Sequence, residues 1–171
     1  MNRLIEILNC DSRYGIGKRN GLLFRQPKDM AFFKATTLGH TVVMGENTLL
    51  SFPNAKPLPG RTNIVLSQDP THNYENVVNV HDFSEFLSQI RLALEKDDVY
   101  VIGGASIYRQ LLPYCDEVLL TKIQADGGAE VFFVNIDEDP GFKLLSQTEP
   151  EEDNGRMIAF CRYANLKKMP L

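Results

Sequence analysis

The chain has 171 residues with 43% hydrophobic and 23% charged content, which is typical of a single globular domain spanning residues 1–171. A net charge of −4, with Lys and Arg scattered, excludes an extended basic surface for nucleic acid, and no apolar run is long enough for a membrane span or a signal-peptide core. The three cysteines and three histidines match neither a disulfide framework nor a zinc site, so we expect a reduced, metal-free protein of the cytoplasm.

The first half of the chain alternates between apolar strands and helices. Residues 4–9 are rich in Ile and Leu and predict a buried strand, and residues 11–21 follow as a polar loop with three glycines. A helix is predicted over residues 27–38, because it begins with a proline and is followed by a glycine. A second buried strand, Thr41–Gly45, leads into a short helix, Glu46–Ser51.

The second half continues this alternation and ends in strands. After a proline-rich loop, the predicted elements are strands at 63–67 and 77–80, a helix at 82–96, a strand at 98–102, a helix at 107–112, a strand at 118–123, and a closing antiparallel pair, 142–147 and 157–163, joined by an acidic turn. This order predicts an α/β domain with a mostly parallel central sheet, an antiparallel C-terminal edge and about four flanking helices. In such sheets ligands bind at the carboxyl ends of the strands.

Asp29 lies in the first turn of the helix at residues 27–38, and two interpretations of it are open. A negative charge is favourable beside the positive end of the helix dipole, so Asp29 can be a solvated acid that stabilises the helix start. Met30, Phe33 and Thr37 follow at three- and four-residue spacing and predict one inward face, which Asp29 would share. A buried carboxylate needs a cation or several donors, and in that setting Asp29 would be an active-site acid.

Glycines at two strand ends are candidates for phosphate binding. Gly103 and Gly104 separate a strand from a helix, so the backbone can approach an anion closely, although a tight turn with packing glycines explains the pair equally well. Gly45, followed by the hydroxyl of Thr48, is a second candidate of this kind. Two such turns suit a dinucleotide, but the sequence lacks the usual dinucleotide fingerprint after its first strand.

Arg61 and Thr121 are the remaining polar candidates at strand ends. Arg61 follows the stiff proline-rich loop and is either a bidentate clamp for a carboxylate or a solvated surface charge. Thr121 is either a polar group of a site or an ordinary β-branched strand residue.

Five segments together resemble dihydrofolate reductase. They are Gly15-Ile16-Gly17, Phe24…Pro27-x-Asp29…Phe33, Val43-Met44-Gly45-x-x-Thr48, Pro57-Leu58-Pro59-Gly60-Arg61-x-Asn63 and Ile102-Gly103-Gly104-x-x-x-Tyr108. They occur in that family's order and spacing, and the similarity runs from about residue 4 to residue 163. The resemblance implies the family's α/β fold and the reduction of 7,8-dihydrofolate to 5,6,7,8-tetrahydrofolate by NADPH, with hydride transfer to C6 and protonation at N5. It also implies a monomer whose partners are dihydrofolate and the nicotinamide dinucleotide.

The resemblance implies roles for individual residues. The catalytic positions that it matches are Asp29, its supporting hydroxyl Thr121, and Leu22 of the lid loop. The substrate positions are Ile7, Leu8, Asp29, Met30, Phe33, Phe52, Leu58, Ile102, Thr121 and Arg61, the last as a clamp on the glutamate α-carboxylate. The cofactor positions are Asn9, Ile16, Gly45, Asn47, Thr48, Leu66, Ser67, Gln68, Gly103, Gly104, Ala105, Ser106 and Tyr108, with Gly103-Gly104 as the family's cis peptide.

The sequence departs from the family pattern near the lid and the cofactor. The lid loop reads Leu22-Leu23-Phe24 where a Pro-Trp pair is usual. Glu46 stands where many members carry an arginine for the cofactor 2′-phosphate, and Ser106 replaces another frequently basic position. A carboxylate repels a phosphate, so we expect NADH to be tolerated beside NADPH. Two alternatives stay open, namely the related reductase domain of riboflavin biosynthesis and a non-catalytic folate- or nucleotide-binding module.

Overall fold

The computed structural model describes residues 2–19 and 21–171 and consists of eleven strands and four α-helices within those residues. The strands are β1 (Leu4–Cys10), β2 (Gly15–Gly17), β3 (Thr41–Gly45), β4 (Thr62–Leu66), β5 (Val78–Val80), β6 (Val99–Val101), β7 (Glu117–Ile123), β8 (Val131–Phe132), β9 (Phe142–Gln147), β10 (Glu151–Asp153) and β11 (Arg156–Asn165). The α-helices are α1 (Pro27–Thr37), α2 (Glu46–Ser51), α3 (Phe83–Leu94) and α4 (Ala105–Leu111).

The strands form one large, mixed sheet in the order β10-β11-β7-β1-β6-β3-β4-β5, and β9 pairs with β11. The pairs from β7 to β5 are parallel, whereas β11 is antiparallel to β7, β9 and β10. The expected α/β fold with a mostly parallel sheet and an antiparallel C-terminal edge is therefore confirmed. In the part of the chain that the structure describes, none of the helices has the length and apolar character that crossing a membrane would require.

Strand β1 lies near the middle of the sheet and separates two hydrophobic cores. Leu4 and Leu8 belong to a core that also contains residues of α3 and α4. Ile5 and Ile7, on the other face, belong to a second core against which Phe33 of α1 packs. This alternation follows from the two-residue period of a strand, and it places even-numbered and odd-numbered residues of β1 in different surroundings.

Glu6 is an exception to the apolar composition of β1. Its exposed fraction is 0%, and its two carboxyl oxygens have no hydrogen-bond partner within the described residues. Burial raises the pKa of Glu6 well above its usual value. Burial thus favours the protonated, neutral form of Glu6 on the face of β1 that also carries Leu4 and Leu8.

The structure contains three short strands that were not predicted, namely β2, β8 and β10. The glycine-rich segment at 11–21 contains the short strand β2, which pairs with β8; Asn20, also in that segment, lies outside the described residues. The predicted acidic turn between the last two strands contains β10, which forms a tight hairpin with β11. All three missed strands have only two or three residues and are too short for a periodic pattern.

Helix α1 was predicted to have one inward face, and the structure shows this only in part. Thr37 is fully buried and Phe33 is half-buried, but Met30 is 45% exposed. The first turn of α1 thus carries the nearly buried Asp29 beside the exposed Met30, and this turn borders the predicted substrate cleft.

Candidate active site

Three polar side chains meet where β1 and β7 approach the start of α1. Asn9 and Thr121 are paired in register on these neighbouring parallel strands, so their side chains lie side by side. The Thr121 hydroxyl donates to Oδ1 of Asp29 at 2.6 Å, and the Asn9 amide donates to Oδ2 at 2.7 Å. Asp29 is 9% exposed and Thr121 is 2% exposed. Two neutral donors therefore hold a nearly buried carboxylate.

The start of α1 is stabilised by a different acid. Gln26 occupies the N-cap position without a capping side-chain bond, and Pro27 follows it. The carboxylate of Asp153, on β10, accepts a hydrogen bond from the backbone N–H of Lys28 at 3.1 Å, and the Gln26 amide donates to the Asp153 carbonyl at 2.6 Å. Asp153 thus serves the helix start, and the carboxylate of Asp29 is directed toward Asn9 and Thr121 of the sheet.

Asp29 retains the capacity to bind a ligand. No Lys, Arg or His within residues 2–19 and 21–171 forms an ion pair with it. A carboxylate offers about four acceptor positions. Asn9 and Thr121 use one on each oxygen, so each oxygen can accept one further hydrogen bond from a donor in the cleft.

The walls of the cleft near Asp29 are apolar. Of the residues predicted for the substrate pocket, Ile7, Phe33, Phe52, Leu58 and Ile102 belong to the same hydrophobic cluster. Met30 lies exposed one residue after the acid. The side chain of Leu8 instead enters the core on the other face of β1, so the structure does not bring it to this cleft. Leu22 is 69% exposed on the lid loop.

Arg61 lies at the outer end of the same region and is held by neutral acceptors. Its Nε donates to the hydroxyl of Thr37 at 3.0 Å, and one terminal nitrogen donates to the carbonyl of Pro59 at 2.8 Å. Burial lowers the pKa of Arg61 from its usual value, yet an arginine stays charged at neutral pH. Asn63 fixes the preceding loop through two hydrogen bonds to the backbone of Leu58, at 3.1 and 3.0 Å.

The predicted glycine turns are adjacent to each other in the structure. The backbone N–H of Gly45 donates to the carbonyl of Gly103 at 2.9 Å, and the Gly103-Gly104 peptide is cis. Gly103 has φ +126°, which favours glycine, and a Cβ there would lie 3.2 Å from the Thr48 hydroxyl. Tyr108, buried in α4, donates to the carbonyl of Ile7 at 2.8 Å and so ties this turn to β1.

Glu46, the first residue of α2, is surrounded by donors. The ring Nδ1 of His72 is 2.8 Å from its Oε2, and the hydroxyl of Tyr74 also binds this oxygen. Burial opposes the charged form of Glu46, but hydrogen bonds from Tyr74, His72 and Ser67 outweigh it and lower the pKa of Glu46. The nearby carboxylate raises the pKa of Tyr74 to about 12. Sequence reasoning did not find His72 and Tyr74, which lie in a polar linker without a motif.

The other residues predicted for the cofactor surround these two features. Leu66 and Ser67 are buried at the end of β4, Gln68 is exposed beyond them, and Asn47 and Thr48 lie on α2. Ala105 and Ser106 begin α4, and the hydroxyl of Ser106 accepts a hydrogen bond from Gln110 at 2.8 Å. Ile16, on β2, packs against the core below the lid loop. Their contacts with a cofactor stay a prediction.

The chain is similar to known proteins in both sequence and structure. A family model described as dihydrofolate reductase matches residues 3–166. Dihydrofolate reductase of Bacillus subtilis is 33% identical over 147 residues, covering 86% of this chain and 84% of the relative. The enzyme of that name from Neisseria meningitidis serogroup A is 32% identical over 164 residues, or 95% and 98% of the two chains. A structure of dihydrofolate reductase from Enterococcus faecalis, complexed with NADP(H) and RAB-propyl, has a TM-score of 0.83 and 30% identity and covers 95% of this chain and 96% of its own.

Proposed function

The chain belongs to the dihydrofolate reductase family, and from this premise we propose that Asp29 is the acidic group of its active site. The enzyme reduces 7,8-dihydrofolate to 5,6,7,8-tetrahydrofolate with NADPH. The observation that carries the proposal is the nearly buried carboxylate of Asp29, which two neutral donors hold with one acceptor position open on each oxygen. Family membership sets aside both the riboflavin-pathway reductase and a non-catalytic binding module.

Asp29 acts through orientation and charge. Its two open acceptor positions match the N3–H and 2-amino donors of a pterin, which would bind side by side across the carboxylate. Because the surrounding walls are apolar, the negative charge is poorly screened and raises the proton affinity of the pterin N5. The proton reaches N5 through water, and the Thr121 hydroxyl keeps the carboxylate in place.

The remainder of the substrate follows the cleft outward from Asp29. The cluster that contains Phe33, Phe52 and Leu58 forms the wall for the pterin and the aminobenzoyl ring. Arg61, whose guanidinium is oriented by Thr37 and Pro59, has terminal N–H groups left to bind the glutamate α-carboxylate.

The paired glycine turns fit a nicotinamide dinucleotide, which supplies the hydride when bound. A side chain at Gly103 would crowd the Thr48 hydroxyl and the ring of Tyr108, so the position leaves open a surface that a Cβ would fill. Gly45, Gly103 and Gly104 would allow the cofactor to lie against the backbone, and Thr48 would donate a hydrogen bond to it.

Glu46 and Ser106 form the part of this site that we expect to weaken the preference for NADPH. Glu46 follows Gly45 directly and is ionised, because its donors lower its pKa. Its charge disfavours a 2′-phosphate and leaves NADH as a tolerated second cofactor.

The cellular setting is the last part of the proposal. We propose a monomer in the reducing cytoplasm, because Asp29, its two donors and Arg61 come from one chain and the three cysteine thiols are free and buried. Gel filtration with light scattering would test the monomer.

The assay for the function is the loss of reduced-nicotinamide absorbance with purified protein. We expect oxidation of NADPH that depends on added dihydrofolate, with a slower reaction for NADH. Omission of dihydrofolate is the control for direct oxidation of the cofactor. A protein without any dihydrofolate-dependent oxidation of either cofactor would contradict the proposal.

A further inference from the structure

We propose that Asn9 is a positioning residue for Asp29, whose side-chain amide fixes Oδ2 of the carboxylate. The proposal rests on the proposed function, because it concerns the acid of that site. The relevant contact is the 2.7 Å hydrogen bond from Nδ2 of Asn9 to Oδ2 of Asp29. An ionised carboxylate only accepts hydrogen bonds, so the amide presents its NH2 group to the acid.

The backbone makes this contact specific. Asn9 lies opposite Thr121 in the parallel pairing of β1 and β7, so the two donors reach the carboxylate from adjacent strands. Thr121 binds Oδ1 and Asn9 binds Oδ2, which fixes both the position and the rotation of the carboxylate plane. With Thr121 alone, the plane could rotate about a single bonded oxygen, and the open acceptor positions would no longer be aligned.

Asn9 also supplies one of the two neutral donors that bind the carboxylate of Asp29. A hydrogen bond donated to an ionised carboxylate stabilises that form over the protonated one. No cation among the described residues forms an ion pair with Asp29, so the carboxylate is held by the neutral donors Asn9 and Thr121.

The nearby titratable groups leave this role to Asn9. Lys28, on α1, directs its ammonium to Glu151, and Lys122, on β7, binds Asp137 on the other face of the sheet. Asp153 accepts from the backbone of Lys28 at the helix start. Burial raises the pKa of Tyr108, on α4, well above its usual value, so its phenol stays protonated.

The test is the pH dependence of turnover for wild type, Asn9→Ala and Asn9→Asp. We expect the pH of half-maximal activity on the acidic side of the profile to move up by about one unit in Asn9→Ala. The reason is that the ionised acid loses one charge-assisted donor. In Asn9→Asp a second carboxylate replaces the donor, so the shift should be larger, about two units. The affinity of the cofactor-free protein for folate, measured by calorimetry, should fall about tenfold in Asn9→Ala.

Asn165→Ala is the matched control for a purely structural asparagine. Its amide donates to the carbonyl of Cys115 at 2.9 Å, far along the sheet from Asp29. This variant should lose stability while its pH midpoint and its folate affinity stay those of wild type. Should Asn9→Ala fail to fold, the isosteric Asn9→Asp decides the question.

A pH midpoint unchanged from wild type in the folded Asn9 variants would overturn the role of Asn9. That outcome is distinct from failure of the proposed function, in which wild type itself would show no dihydrofolate-dependent turnover.

Discussion

Two carboxyl groups lie near the two faces of strand β1, and they differ in the number of donors around them. Asp29 receives hydrogen bonds from Asn9 and Thr121, is 9% exposed and borders the predicted substrate cleft. Glu6, on the other face, has neither a hydrogen-bond partner within the described part of the chain nor contact with solvent. The same chemical group is therefore ready to bind a ligand in one place and is a neutral, destabilising group in the other. Hydrogen-bond donors and exposure to a ligand, more than burial, thus distinguish an acid that can function from one that destabilises the fold.

The largest expected effect comes from removing the charge of Asp29. Asp29→Asn keeps the shape but supplies no negative charge to the pterin, so we expect kcat at neutral pH to fall by about 100-fold or more. Activity should recover in part at lower pH, where more of the substrate is already protonated. Thermal unfolding should show a folded protein. Turnover equal to wild type at every pH would return Asp29 to the role of a helix-start acid.

Glu6 should give the opposite result, a gain in stability without loss of activity. Glu6→Met replaces an unsatisfied carboxyl group with an apolar side chain of similar length, and we expect the free energy of unfolding to rise by about 2 kcal/mol at neutral pH. Urea unfolding measures this change, and the dihydrofolate assay shows whether activity is retained. A Glu6→Met protein less stable than wild type would show that the carboxyl group has a partner in solution.

The buried Glu6 should also make the free energy of unfolding fall as pH rises. At pH values below the pKa of Glu6 in the unfolded chain, the group is protonated in both the folded and the unfolded state. In this range it does not contribute to the change of stability with pH. Above it, the unfolded chain releases the proton while the folded protein keeps it, because burial raises the pKa of Glu6. The free energy of unfolding should then fall by about 1.4 kcal/mol per pH unit until Glu6 ionises in the folded protein, and Glu6→Met should remove this slope.

Glu117 is the matched control for Glu6. It is also buried, but Arg3 and Arg162 bind it at 2.7 and 2.6 Å, and the hydrogen bond from Arg162 is the main reason that its pKa is lowered. Its stabilising effect is present above the pKa of the unfolded state and is lost as pH falls. Glu117→Met should therefore destabilise the protein, by about 1–2 kcal/mol because both arginines are partly exposed.

Removing one donor should make Asp29 more similar to Glu6. Thr121→Val preserves shape and strand preference but leaves Oδ1 of Asp29 without its protein donor. We expect kcat/KM for dihydrofolate to fall about tenfold, and the pH of half-maximal activity to rise, as for Asn9→Ala. Thr41→Val, on β3, is a control with the same substitution in a different buried strand position. A normal pH profile in Thr121→Val would limit the role of the hydroxyl to packing.

The sequence predicted strand β1 and its two faces, but not the hydrogen bonds that the carboxyl groups near it make. The apolar run at the start of the chain predicted β1, and its two-residue period correctly implies two faces. That Asn9 and Thr121 both reach Asp29 depends on the register of β1 against β7, which joins residues more than a hundred positions apart. The resemblance implied a cofactor contact for Asn9, and no local pattern indicated that its amide binds the acid.

The sequence likewise did not indicate whether donors surround Glu6 and Glu46. Glu6 is embedded in the predicted strand, and a strand pattern does not indicate whether a donor faces it. His72 and Tyr74 reach Glu46 from a polar linker whose path is set by tertiary packing. Fold class, strand ends and glycine turns follow from local rules, whereas hydrogen-bond partners of buried acids require the assembled sheet.

Glu46 is intermediate between Asp29 and Glu6, and it gives the smallest predicted effect. Its charge is retained, as for Asp29, but His72, Tyr74 and Ser67 already bind it, so part of the repulsion toward a 2′-phosphate is neutralised. We expect Glu46→Arg to raise the ratio of kcat/KM for NADPH over NADH by about fivefold. Glu46→Gln, which removes the charge but keeps hydrogen-bonding groups, should give a smaller rise. Dissociation constants for the two cofactors, measured by calorimetry, separate binding from turnover. If neither variant changes the ratio, Glu46 is a structural partner of His72 and Tyr74 and does not face the cofactor.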